Sequence, residues 1–375
     1  MRTYFDKGKW ELFAYEKLNQ VIEQFKGNKN SYVIFDFDNT SAIHDIEDHL
    51  MVYMLDNFLY KITPLRLYEI MTTGPFDFNE CVEGQVSVKD LADDVFELYK
   101  TLKKQALTLN ELKETKEYVA FAAKIRAYYR YVNSNFVRQP GQPWLTYWFE
   151  GYTPKELQTL AVKMFEDGLN KEFKWRYWDS GDELQGKSGR IRSEFAQGLA
   201  FPKELIDLYQ AFQAAGITTY IVSASPIDIV RSVSSHYGYN VPDNQIIAME
   251  YQLDENGCII AKMTETGYIT KQEGKTEAIK ALIMPKHNMH EPIAMFGDSM
   301  GDYHMMTHFH NTSLNVLFNC YHNDATQELA QLAVKQYGQR DAQIVLQGRD
   351  EPKGMLRPSQ ATIPLDSQEE VLLVK

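Results

Sequence analysis

Between residues 9 and 25 the apolar side chains Leu12, Phe13, Leu18, Val21, Ile22 and Phe25 recur at the spacing of one helix face. Gly27-Asn28-Lys29-Asn30 then breaks the pattern. A β-branched and aromatic run of strand length follows, Tyr32-Val33-Ile34-Phe35, and it stops in the acidic sequence Asp36-Phe37-Asp38-Asn39-Thr40. From 41 to about 195 amphipathic helical stretches dominate (46–60, 86–104, 110–131), with dense aromatics and few strand-like runs. Thr153-Pro154 is placed to cap another helix. From about 196 strands and helices alternate: helix 203–215, strand 217–223, helix 227–237, strand 245–251, a hairpin strand 258–263, helix 275–284, strand 292–297, helix 301–307 and strand 312–318. Strands separated by helices imply parallel pairing with right-handed crossovers. The pattern predicts an α/β protein with a Rossmann-like parallel-sheet core, residues 1–40 and 196–350. A large α-helical cap, 41–195, is inserted after the first core strand, and a poorly patterned tail, 351–375, ends the chain.

Composition narrows the classes of function. The 375 residues are enough for two or three domains at roughly 150 residues each. Lys plus Arg number 39 against 51 Asp plus Glu, a formal balance of −12, and no basic run offers a footprint for nucleic acid. Cys81, Cys258 and Cys320 stand far apart with no CxxC pair, so they read as reduced or incidental thiols. No window approaches the ~18 apolar residues of a membrane span, and the first residues lack the apolar stretch of a secretory leader. The expectation is a cytoplasmic protein, exported only if a leader has been removed.

Four short polar signals fall in order at the ends of predicted core strands: FDFDNT from Phe35, IVSAS from Ile221, GKTEAI from Gly274 and FGDSMGD from Phe296. In open parallel sheets the carboxyl ends of the strands form the ligand crevice, so the four clusters converge there. Asp36, Asp38, Asp298 and Asp302 bring up to four negative charges together. Like charges ~4 Å apart at an effective dielectric of ~20 repel by about 4 kcal/mol per pair, so protons or a cation must be present. Hard oxygen ligands with open positions suit Mg²⁺, which also bridges a phosphate. In such a crevice Asp36 is the candidate nucleophile, giving an aspartyl-phosphate, and Asp38 the candidate acid/base.

As a set, the ordered DxDxT, Ser, Lys and GDSxxD signatures resemble the haloacid dehalogenase superfamily, specifically its phosphatases with a helical cap after the first motif. The resemblance implies that Thr40 and Ser223 hydrogen-bond the transferring phosphoryl oxygens and that Lys275 pairs with them and with the nucleophile. It further implies that Asp298 ligates the metal with Asp36 and the backbone carbonyl of Asp38, and that Asp302 is a metal or water partner. Dehalogenases of this kind lack the second Asp, so Asp38 favours phosphate chemistry. Lys271, four residues before Lys275, competes for the lysine role, and Ser225 and Ser299 read as turn or cap residues.

His44, Asp45, Glu47 and Asp48 lie directly after the first motif. Negative charge beside a phosphate site suits a substrate that carries positive charge beyond its phosphate. Tyr128-Tyr129-Arg130-Tyr131, Trp144, Tyr147-Trp148-Phe149 and Trp175-Arg176-Tyr177-Trp178 supply rings for cation–π contact, and Tyr152 is a further candidate for the pocket border. DNTSxxxDxEDxL, FEGYTPKEL and VSAS together are similar to the bacterial phosphorylcholine phosphatases, which implies phosphorylcholine or phosphoethanolamine as substrate and Glu47 and Asp48 as contacts to its cation. The compact GDSMGD and the absence of a visible export signal depart from that group. The alternatives are phosphoserine or another small-metabolite ester, transfer to an acceptor other than water, and an amine-binding protein without turnover.

Overall fold

Tyr32–Phe35 forms a strand whose four residues are all fully buried, and its side chains alternate between two cores. Val33 and Phe35 join the larger cluster, whereas Tyr32 and Ile34 join the smaller one on the opposite face. In this computed structural model every residue is described except Met1, 75–76, 80, 83–85, 135–147, 266 and Lys375. Six parallel strands make the central sheet, in the order Ile344–Gln347, Leu314–Phe318, Ala294–Gly297, Tyr32–Phe35, Thr218–Pro226, Ile246–Met249. Stacked rings lock its centre: Phe35 lies 3.9 Å from both Phe296 and Tyr209, centroid to centroid. The fold is thus mixed α/β with a parallel core.

Between Tyr32–Phe35 and its sheet neighbour Thr218–Pro226 the chain builds the helices Ile46–Asp56, Pro64–Met71, Val88–Leu102, Leu109–Lys113, Lys116–Ser134 and Pro154–Leu169, and then the helix Lys203–Ala214 that leads back into the sheet. Pro154–Leu169 starts as its sequence suggests: Thr153 caps it in a capping box with Glu156, and Pro154 opens the first turn. The stretch is not purely helical, because Lys174–Asp179 and Arg192–Gln197 pair as an antiparallel ribbon. Neither strand alternates cleanly between buried and exposed positions, so periodicity alone does not reveal them.

Three further differences from the sequence reading have local causes. The edge strand Ile344–Gln347 and the helix Thr326–Gln336 before it were not anticipated, since the strand's apolar run is only Ile344-Val345-Leu346. The expected helix 275–284 is α-helical only over Glu273–Ala278; it then widens to a π turn and tightens to a 3₁₀ turn at Pro285, which cannot donate a backbone hydrogen bond. The segment after 350 is built into the core. Val371 N and O pair with Thr362, and the Asn319 side-chain amide donates to the carbonyls of Gln360, Val371 and Leu372 at 2.9–3.2 Å. Among the described residues no helix is long and apolar enough to cross a membrane.

Candidate active site

The carboxyl ends of Tyr32–Phe35, Thr218–Pro226 and Ala294–Gly297, with the helix Glu273–Ala278, surround a cavity of about 270 Å³. Asp36 and Asp38 both line it, while Phe37 between them is fully buried in the core, the alternation expected of extended chain. The loop is fixed by its backbone. Asp36 N donates to Phe296 O at 3.0 Å, Phe37 O accepts from the amides of Ser41 and Ala42, and Ser41 Oγ donates to Asp36 O at 2.6 Å. Asn39, with φ 56°, takes the left-handed turn that Asn tolerates.

Each carboxylate is held by named donors. Asp38 Oδ1 accepts from Ile46 N at 2.7 Å, and its Oδ2 accepts from Ser225 Oγ at 2.7 Å and Ser223 Oγ at 3.3 Å. Asp302 caps its own helix with Ser299. Its Oδ2 accepts from Asp298 N at 3.0 Å, and its Oδ1 accepts from Lys275 Nζ at 2.7 Å. The same buried ammonium contacts Asp36 Oδ1, so Lys275 bridges the first and fourth motifs. Gly297 permits this closeness, because a Cβ there would stand 2.5 Å from Asp302 Cβ.

Among the described residues six carboxylates face the cavity, from Asp36, Asp38, Asp45, Glu47, Asp298 and Asp302, against the ammonium groups of Lys271 and Lys275. Burial, then the charge of Asp302, pushes Asp36 well above the ordinary carboxylate range against the pull of Lys275. Burial also raises Asp38 to about 6, opposed by its Ser225 and Ile46 hydrogen bonds. Glu47 is pushed up to about 8 by burial and by the charges of Asp38 and Asp48. Burial lowers Lys271 despite Glu47 and Asp45. A cavity that strains to hold its own negative charge is suited to a cation. Oxygens of Asp36, Asp298 and Asp302 all lie within 4.8 Å of one another, a donor set of hard ligands fit for Mg²⁺.

Other expected residues fall outside the walls. Asp48 does not line the cavity: it forms a two-pronged pair with Arg126, both contacts 2.7 Å, and the guanidinium holds it low despite burial. One residue of helix separates Glu47 from Asp48 by about 100°, so the two side chains take different neighbours. Ser223 is fully buried beneath the cavity, and Ser225 is the serine on its wall. Thr40 is also off the wall, its buried hydroxyl without a hydrogen-bond partner among the described residues. Of the described aromatic candidates only Tyr129 faces the cavity, where its hydroxyl donates to Glu47 Oε1 at 3.3 Å. Trp148 packs edge-on behind Tyr129, Tyr128 donates to Met71 O, Tyr152 to Leu59 O, and Trp178 stacks on Arg176. Trp144 and Tyr147 lie outside the described residues. Asp45, Ser225 and His322 also line the wall: Asp45 stood in the sequence only as part of an acidic run, Ser225 as a turn or cap residue, and His322 in no motif, while in the structure Asp45 caps the helix Ile46–Asp56 as well.

Residues 152–307 match the family model described as haloacid dehalogenase-like hydrolase. The matched stretch begins after the Asp36–Thr40 loop, which the intervening helices separate in sequence, though not in space, from the other strands of the sheet. Phosphorylcholine phosphatase of Pseudomonas aeruginosa is 26% identical over 242 residues, 64% of this chain and 54% of that protein, so the match spans about half of the relative's length. A conserved protein of unknown function from Anaerococcus prevotii, known from its crystal structure, superposes with a TM-score of 0.85 at 26% identity, over 97% of this chain and 99% of that one.

Proposed function

We propose that this chain is a Mg²⁺-assisted phosphomonoesterase that works through an aspartyl-phosphate on Asp36. Its substrate would be a small ester whose alcohol carries positive charge, phosphorylcholine or phosphoethanolamine. The observation that carries the reading is a single cavity with the Asp36–Lys275–Asp302 bridge on its floor and Glu47 with Tyr129 on its wall. The haloacid dehalogenase-like match and the phosphorylcholine phosphatase relative support the same chemistry.

In the first step an Asp36 oxygen attacks phosphorus, the bond to the leaving alcohol breaks, and Asp38 donates the proton that the alkoxide takes. Water then attacks the aspartyl-phosphate, Asp38 accepts its proton, and phosphate leaves with the Asp36 carboxylate restored. An Asp38 poised near 6 serves as donor in one step and acceptor in the next. Lys275 orients Asp36 and meets the phosphoryl oxygens, and Asp302 positions Lys275. Ser225 on the wall is the proposed hydroxyl donor to the phosphate, in place of the buried Thr40 and Ser223. Asp36, Asp298 and the Asp38 carbonyl would hold Mg²⁺, with Asp302 beside them, and the bound ion supplies neutralisation of the phosphate charge. Glu47 faces the substrate's ammonium and Tyr129 offers a ring.

Lys271 on the same wall favours a second reading, an ester that also carries a carboxylate such as phosphoserine. Phosphate release from phosphorylcholine, phosphoethanolamine, phosphoserine and a neutral sugar phosphate, with Mg²⁺ and with EDTA, separates them. The cationic reading expects the first two to lead. Preference for phosphoserine keeps the mechanism and replaces the substrate, and release unaffected by EDTA removes the metal.

A further inference from the structure

Directly after the strand Leu314–Phe318, Cys320 and His322 reach back to Asp298. A carboxylate oxygen, the Cys320 thiol and an imidazole nitrogen of His322 lie within 4.8 Å of one another. His322 Nε2 stands 3.7 Å from Asp298 Oδ2, at ion-pair distance but beyond a direct hydrogen bond, and no other acceptor or donor reaches this nitrogen among the described residues. Ligands at ~2.0–2.3 Å from one tetrahedral ion stand roughly 3.3–3.8 Å apart, so small movements close the set. The loop is built rather than loose. Asn319 is tied to the C-terminal segment by three hydrogen bonds, and Tyr321 takes φ 44°, rare for an aromatic residue, with its hydroxyl held 2.9 Å from Glu351 Oε2. A second cavity of about 390 Å³, bordered by Asn39, His44 and Trp175, opens onto all three side chains. The nearby Arg349 guanidinium is matched by Glu351 at 2.6 Å.

We propose that Asp298, Cys320 and His322 form a second metal site, for a borderline-soft dication of the Zn²⁺ class, with a fourth position open to the adjoining cavity. Sulfur and imidazole disfavour Mg²⁺ and favour Zn²⁺, and three protein ligands with one open position is an ordinary zinc arrangement. Binding releases the thiol proton to solvent, and the Asp298 carboxylate and Cys320 thiolate balance the ion's charge. Asp298 is also the proposed Mg²⁺ ligand, so if that reading holds, Zn²⁺ in this site antagonises Mg²⁺ in the crevice.

Co²⁺ added to the full-length protein in place of Zn²⁺ tests the site through the near-ultraviolet absorption of a cobalt–thiolate bond, which needs no turnover. One equivalent is expected to give the band and Zn²⁺ to bleach it; Cys320→Ser should abolish it, and His322→Ala, at a partly exposed position, should weaken Co²⁺ binding at least about 10-fold. Asp36→Asn should keep the band. Absence of the band in wild type, or its survival in Cys320→Ser, overturns the site. Zn²⁺ binding that leaves Mg²⁺-dependent phosphate release unchanged overturns the antagonism. A protein that forms the band but hydrolyses no ester contradicts the phosphatase reading alone.

Discussion

The floor of the cavity and its cap-side wall solve different problems. On the floor Asp36, Asp38, Lys275, Asp298 and Asp302 stand at strand ends or helix starts and are tied to one another across the sheet, by a helix cap, two serine hydroxyls and an ammonium between two carboxylates. On the wall Glu47 and Asp48 are chain neighbours with opposite fates, one facing the cavity beneath Tyr129 and the other locked to Arg126. The positions of the floor are marked in the sequence, because each stands at a strand end or a helix start. Those of the wall depend on which face of a helix meets which partner.

That contrast breaks most sharply at Asp36. Asp36→Asn is expected to lower phosphate release from every ester by at least about 10³-fold, read by a phosphate assay, because the proposed nucleophile is lost whatever the alcohol. Asp38→Asn should cost about 10²–10⁴-fold in phosphate release from every ester, yet spare the first step for esters with good leaving groups, such as a nitrophenyl phosphate, whose alcohol should still appear as a burst because it needs no proton to leave. On the wall, Asp48→Asn should act on stability, by about 3 kcal/mol at most in denaturant unfolding, because it removes the carboxylate charge paired with the buried Arg126. The ratio of rates on phosphorylcholine and a neutral ester should not move. Glu47→Gln should do the reverse above pH 8, where Glu47 is ionised, lowering kcat/KM for phosphorylcholine roughly 10- to 100-fold with little change for the neutral ester, as loss of a charged contact would.

The smallest expected effect is on pH dependence. Glu47 holds its proton more tightly folded, to about 8, than in an unfolded chain, so its ionisation penalises the fold. The penalty is absent below the ordinary carboxylate range, grows as pH rises, and is complete above about 8. Glu47→Gln should therefore raise Tm by several degrees at pH 9 and very little at pH 4, seen by calorimetry without added metal. In the same window preference for the cationic ester should rise with pH in the wild type and stay flat in the variant.

The floor was legible in the sequence because its residues stand at strand ends, where a run such as Tyr32–Phe35 marks the strand and the next residues must face the crevice. The parallel core followed from alternating strands and helices, although Ile344–Gln347 escaped notice with three apolar residues to show for it. The wall was less legible. Sequence adjacency paired Glu47 with Asp48, but helical rotation parted them, and Arg126, 78 residues further on, claimed Asp48. The abundant aromatics misled for a similar reason: Tyr128 is fully buried, and Tyr177 is exposed on a ribbon strand, so only tertiary packing singles out Tyr129. Cys320 read as an incidental thiol because its neighbour Asp298 lies on a different strand end.

The most direct test of the account is a rapid-quench experiment in which Mg²⁺-loaded protein meets phosphorylcholine and the peptide carrying Asp36 is weighed by mass spectrometry. The account predicts a phosphorylated Asp36 that builds and decays as phosphate appears, and no such species in Asp36→Asn. Phosphate released at an undiminished rate by Asp36→Asn, with no phosphorylated Asp36 at any time in the wild type, would contradict it.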